Sequence, residues 1–189
     1  MPVSAKTETA SSKLILVLTA LLLGQWVQAA GITVRDISSA EVNGEMILSA
    51  QLDFELSKEA LKALDHGVAM DIVIEIEALQ QRRWIWDRKI AEHSERFRLE
   101  RQALSKHYLV THNYQRRSFL SLREALQFIG AIREYPLVNT EMLQSGHSYH
   151  GRLRAWLDIE SLPAPMRPTA YISSHWHVVS AWHEWPLKS

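Results

Sequence analysis

The sequence predicts a mainly β protein: an antiparallel β-sandwich of about seven to nine strands, with two short connecting helices. Three observations carry that expectation. Apolar and polar residues alternate at period two over three long stretches, the pattern of strands buried on one face and wet on the other. The two segments with helical spacing are too short to cover both faces of a sheet, which argues against a doubly wound parallel fold. No shift of composition divides residues 30–189, so they are expected to form a single β-rich domain, long enough for one sizeable core.

Residues 1–29 stand apart. Lys6 and Lys13 precede the apolar run LILVLTALLL (Leu14 to Leu23), which is followed by GQWVQAA. A charged start, an apolar stretch of about ten residues and small residues at the end have the form of a secretory signal peptide. Val27 and Ala29 meet the small-x-small requirement, so cleavage is expected after Ala29, with Ala30 as the alternative. The runner-up is an uncleaved inner-membrane anchor. A spanning helix needs about 20 apolar residues, and Gln25 and Gln28 interrupt this run early. The expectation is therefore a periplasmic protein with no transmembrane span after cleavage. With no cysteine anywhere in the chain, lipoprotein anchoring, disulfides, thiolate nucleophiles and Cys-ligated metals are all excluded.

Along residues 30–189 the elements follow in order. Ile32–Ile37 is a weak strand. In EMILSAQLDFEL, Met46, Leu48, Ala50, Leu52, Phe54 and Leu56 form one apolar face. LSKEALKALDHG is a short helix, with Ser57 as N-cap, Leu56 and Leu61 placed for a hydrophobic staple and Gly67 as the stop. AMDIVIEIEAL sets Ile72, Ile74, Ile76 and Ala78 against Asp71, Val73, Glu75 and Glu77. Weaker strands are expected at Arg83–His93, Ser94–Leu104 and Tyr108–Asn113, with Phe97 and Leu99 inward. A second helix opens with Ser121 and Glu124, the spacing of a capping box. Its stripe runs through Leu122, Ala125, Leu126, Ile129 and Ile132, and Pro136 closes it. SYHGRLRAWLDIE faces Tyr149, Leu153, Ala155, Leu157 and Ile159 inward, leaving Trp156 on the polar side. SLPAPMRP, with three prolines, reads as extended and stiff, and His175–Ala181 as the last strand, with Trp176, Val178 and Trp182 inward.

The ordered series LSAQLDFELSKEALKALDHGVAMDIVIEIE, RRWIWDR, FRLERQALSKHYLV, SFLSLREAL, YHGRLRAWLDIESLPAPMRP and HWHVVSAWHEWPL resembles domain-of-unknown-function family 4390, exported proteins of proteobacteria. The likeness runs from about Gly31 to Leu187. It implies an accessory role in the envelope, beside a membrane-bound sensor kinase, and transfers no catalytic residue. The features it shares with the family are Trp84, Trp86, Leu157, Pro163, Trp176, Trp182 and Trp185; His175 and His177 are not among them.

Function is read largely by exclusion. Lys plus Arg equal Asp plus Glu at 21 each, so no whole-protein field draws in nucleic acid. No P-loop, dinucleotide fingerprint or H-E-x-x-H is present, and Gly146–His147–Ser148 lacks the second glycine of a nucleophile elbow. Glu75 and Glu77 share a strand face, but on its polar side. Neither an enzyme nor a cofactor is expected. The leading expectation is a non-enzymatic periplasmic binding or accessory module for another envelope component, an envelope or inner-membrane protein. Its contact residues are Trp84, Trp86, Arg88 and Trp156, since large aromatics among charges are interface material. The alternative is a His-based metal-binding protein. His175 and His177 lie two apart, so on a strand they would share a face about 7 Å apart.

Overall fold

In strand β2 (Glu45–Glu55), Met46, Leu48, Ala50, Leu52 and Phe54 are all buried while Glu45, Ser49 and Glu55 are exposed. The alternation thus does what its period requires. These side chains share one core with Met70, Ile72, Ile74, Ile76 and Ala78 of β3 (Met70–Gln80). Burying each such large side chain contributes about 1.5–3 kcal/mol. The computed structural model describes residues 31–187. The expected signal segment, residues 1–29, and its cleavage site lie outside them.

Before β2 runs β1 (Gly31–Val42), and between β2 and β3 sits α1 (Lys58–Asp65). After β3 come β4 (Arg88–Arg101), β5 (Tyr108–His112), β6 (Gln115–Phe119), α2 (Leu122–Gly130), β7 (Ala131–Asn139), β8 (Tyr149–Asp158), α3 (Arg167–Ile172) and β9 (His183–Leu187). A small sheet orders β1-β2-β7 and a large one β6-β5-β4-β3-β8-β9, every pairing antiparallel. The small sheet covers only part of the large one. α2 covers the β5–β6 end, where Phe128 packs against Phe119 and Phe97 at ring-centroid distances of 5.3 and 6.4 Å.

The helix signals are where the sequence places them. Ser57 Oγ accepts from the Ala60 N–H at 3.0 Å, and Gly67 ends α1 at φ +80°. Ser121 and Glu124 form the capping box of α2. The two expected strands Arg83–His93 and Ser94–Leu104 are one strand, β4, beginning only at Arg88.

Other expectations are corrected. α2 stops at Gly130, and Ile132 and Pro136 belong to β7 rather than the helix. Pro136 is tolerated because β7 is an edge strand, where a missing N–H costs no ladder bond. Gly130 explains the early stop. A Cβ there would lie 2.1 Å from the Leu52 carbonyl oxygen, so only glycine lets the helix end rest on β2. β6 has no counterpart among the expected strands. Four of its five residues are exposed, and it is set by a two-residue turn with Asn113 and Tyr114 both at positive φ.

The proline segment is coiled rather than extended, with 3₁₀ turns at Ile159–Ser161 and Ala164–Met166 and then α3. Its prolines stand at helix starts, where the backbone N–H has no partner anyway. His175–Ala181 is not a strand. Ser174–Trp176 is a 3₁₀ turn, Val179 makes one isolated bridge to Trp156, and the last strand is β9. Trp176 and Val178 are buried as expected, but Trp182 lies on the outer face and Trp185 takes the interior place.

Gly130→Ala is expected to destabilise the fold by about 1–3 kcal/mol through overpacking against a backbone atom that cannot turn aside. Urea denaturation checks this, and an unchanged midpoint would show that α2 can lift from β2 without cost.

Candidate functional site

β3 and β4 pair as far as Gln80 and Arg88, so residues 81–87 must form a connecting loop. Its feet are fixed. The Gln81 N–H donates to the Ser148 carbonyl at 2.9 Å, and the Arg82 N–H donates to Asp87 Oδ1 at 3.2 Å. Asp87 Oδ2 also lies 3.6 Å from His150 Nε2. The tip, Trp84–Ile85–Trp86, then projects into solvent, with Trp84 89% and Trp86 94% exposed. Arg82, Arg83 and Arg88 flank it and make no ion pair among the described residues. Beside the tip opens a cleft of ≈ 1030 Å³ between the loop and the β7–β8 connection, lined by Arg82, Arg83, Arg88, Gln144, His147 and Ser148. Trp84, Trp86 and Arg88 are thus together as expected, on a loop rather than a strand face.

Trp156 is not with them. It pairs with Val73, seven residues back along β3 from Gln80, or roughly 23 Å at strand rise. It is only half-exposed, with the Arg154 guanidinium 4.9 Å from its ring centre. It belongs to a layer of charges over the outer face of the large sheet.

That layer follows from register. Glu77 stands opposite Arg152, and Glu75 opposite Arg154, across the β3–β8 pair. The Glu77 side chain is 2% exposed and bonded to Lys89 Nζ and Arg152 Nε, both at 2.5 Å. Glu75 accepts from Arg154 at 2.6–2.7 Å. Asp71 takes Arg96 and Arg98, and Asp158 takes Arg96 again. The Trp182 ring lies under Arg152 and Arg154 at 4.3 and 4.4 Å, a cation–π cover that shields the ion pairs from water.

Burial pushes the Glu77 carboxyl upward, but the bonds from Lys89 and Arg152 outweigh it and hold the group below the usual carboxylate range. Lys89 is raised in turn by its bonds to Glu77 and Glu92. Among the described residues Glu75, Glu77 and Glu92 bring three carboxylates within 4.8 Å, yet Arg152, Arg154 and Lys89 already neutralise them. Both glutamates of the pair are thus engaged in ion pairs over the outer face.

His175 and His177 sit in the exposed turn after α3, not on a common strand face. Nδ1 of His175 lies 3.4 Å from Glu59. The turn removes the shared-face spacing on which the metal reading depended.

A polar cluster between the sheets is absent from the sequence-based expectations. On β4, Glu95 Oε2 accepts from His112 Nε2 at 2.5 Å, and its Oε1 accepts from the Tyr135 hydroxyl at 2.8 Å. His93 bonds the Leu137 carbonyl at 2.8 Å and meets the Tyr135 ring edge-on. Leu137 is an extra residue in the β2–β7 register, so its carbonyl is spare. Burial and the adjacent Glu95 charge push the Tyr135 phenol well above its usual range, so it remains a hydrogen-bond donor. Parity could have found this cluster: His93 and Glu95 share the inward phase of Phe97 and Leu99.

These features define an antiparallel β-sandwich that presents an aromatic and basic hairpin loop and pairs the charges over the outer face of its large sheet. The family model for the domain of unknown function DUF4390 matches residues 29–186, and the chain belongs to that family. No curated protein and no solved structure matches the sequence. Among the described residues no helix is long and apolar enough to cross a membrane.

Glu77→Gln is expected to cost about 2–3 kcal/mol near neutral pH, less than a fully buried pair because Lys89 and Arg152 reach water. Since the folded carboxyl titrates below its ordinary 4.5, the stability it contributes is present above that value and lost as pH falls through the folded one. The gap between wild type and variant should therefore close in acid. Urea melts at a series of pH values measure it, and a gap that persists at low pH would assign the loss to packing.

Proposed function

We propose that the protein is an exported, non-enzymatic binding module of the bacterial envelope, which docks on another envelope component through the β3–β4 loop. The observation that carries this reading is the loop itself. Two tryptophans are held almost fully in water, with a largely exposed isoleucine between them, on feet tied by Asp87 and Ser148. Exposed apolar groups of that size are kept where something else covers them. The signal-like segment at residues 1–29 supports export. The pairing of Glu75 and Glu77 with Arg154, Arg152 and Lys89 supports a binding rather than a hydrolytic role.

The test is fractionation of cells expressing the full chain, with and without Trp84→Ser/Trp86→Ser, after brief crosslinking. Wild type should be retained with the envelope and the variant released at least tenfold more, with its melting temperature nearly unchanged because the side chains touch little else. Equal retention of the two would remove the loop from the function.

A further inference from the structure

With the β3–β4 loop taken as the contact surface of a docking module, on which this inference rests, we propose that its partner is the anionic surface of a lipid bilayer. Trp84, Ile85 and Trp86 enter the headgroup region, and Arg82, Arg83 and Arg88 meet lipid phosphates.

Shape separates a bilayer from a protein partner. A stable protein interface buries about 800 Å² per side, and its strongest residues sit in pockets ringed by further contacts. Here the apolar residues are three, at the tip of a narrow loop, and every residue from Gln81 to Lys89 is exposed. A rigid partner would need a socket for them, whereas a fluid interface closes around a convex tip. Tryptophan suits that depth because its ring is apolar and its N–H is polar.

Charge points the same way. The loop and its C-terminal foot carry Arg82, Arg83 and Arg88 against Asp87, so 3 − 1 leaves two positive charges. Asp87 is turned back toward the Arg82 N–H and His150. Lys89 is already held by Glu77 and Glu92, so the unpaired cations of the loop and its foot are Arg82, Arg83 and Arg88, beside the tryptophans. The cleft lined by Arg82, Arg83, Arg88 and His147 opens next to Trp84, where an entering tip would meet phosphates. Because the chain as a whole is neutral, no whole-protein field adds to this attraction, which is local and short-ranged.

The experiment is vesicle co-sedimentation of the protein as purified from cells expressing the full chain. One set of vesicles contains phosphatidylglycerol and phosphatidylethanolamine, the other phosphatidylcholine alone. Loop variants prepared identically cancel any contribution from residues 1–29. Binding is expected to the anionic vesicles only and to weaken as salt rises. Arg83→Ser/Arg88→Ser should lower it about 25-fold, at two surface cations, and Trp84→Ser/Trp86→Ser should abolish it.

Equal binding to phosphatidylcholine, or undiminished binding by the loop variants, would overturn the proposal. Loop-dependent retention in the cell envelope without vesicle binding would also overturn it, assigning the loop to a protein and leaving the docking role intact. A loop-dependent dimer in sedimentation velocity without vesicle binding would reassign the tip to self-association.

Discussion

The fold depends on burying β3 on both faces although four of its eleven side chains are polar. Its inner face is apolar and meets β2, the ordinary solution for a sandwich strand. Its outer face carries Asp71, Glu75 and Glu77 beside the apolar Val73 and Leu79. A carboxylate as enclosed as Glu77 is stable only with its charge matched and its oxygens bonded. The match comes from neighbours in register: Arg152 and Arg154 from β8, and Lys89, Arg96 and Arg98 from β4. A slip of one residue would turn each of these cations to the opposite face, so the ion pairs specify the pairing as strictly as the core does.

The rest of the molecule adapts to two sheets of unequal width. Where the small sheet ends, α2 supplies apolar cover through Phe128, and Gly130 permits the close approach. Between them, Glu95, His112, Tyr135 and His93 tie β4 and β5 to β7 with polar bonds in place of apolar filling. On the other side, the C-terminal segment crosses back to place Trp182 over the arginines. Trp185 is then inserted beside Gly151, where a Cβ would lie 2.3 Å from the indole ring, and its Nε1 donates to Ser39 Oγ at 3.2 Å. One strand end thus joins both sheets. The β3–β4 tip, by contrast, sets two almost fully exposed tryptophans together on one loop, which is why the proposed contact is placed there.

The legible parts of the sequence are those governed by local period and local caps. β2, β3 and β8 are readable because one face of each alternates without a break, and both expected helices because Ser57, Ser121 and Glu124 bond within their own first turn. Period fails where a strand has no buried side to report, as in β6, or where tertiary contact interrupts a continuing local pattern, as at Gly130 and Ile132. The exposed tryptophans are legible as a composition of aromatics among cations, but the strand face expected to carry Trp84 and Trp86 does not exist. Polarity of its face alone groups Trp156 with them; that face is shielded by Arg154 and lies far from the loop.

The sequence by itself determined the class of fold, the inward residues of the central strands, the caps of two helices, and the family, because each rests on neighbours along the chain or on the ordered whole. Only the tertiary structure decided that Glu75 and Glu77 are spent on ion pairs, that Glu95 meets His112 and Tyr135, that His175 and His177 sit in a turn, and that the Trp84–Trp86 tip projects into water. Those outcomes depend on which residues distant in sequence become opposite in register. A charge, a ring or a carbonyl takes its role from the partner brought to it, and period alone does not name that partner.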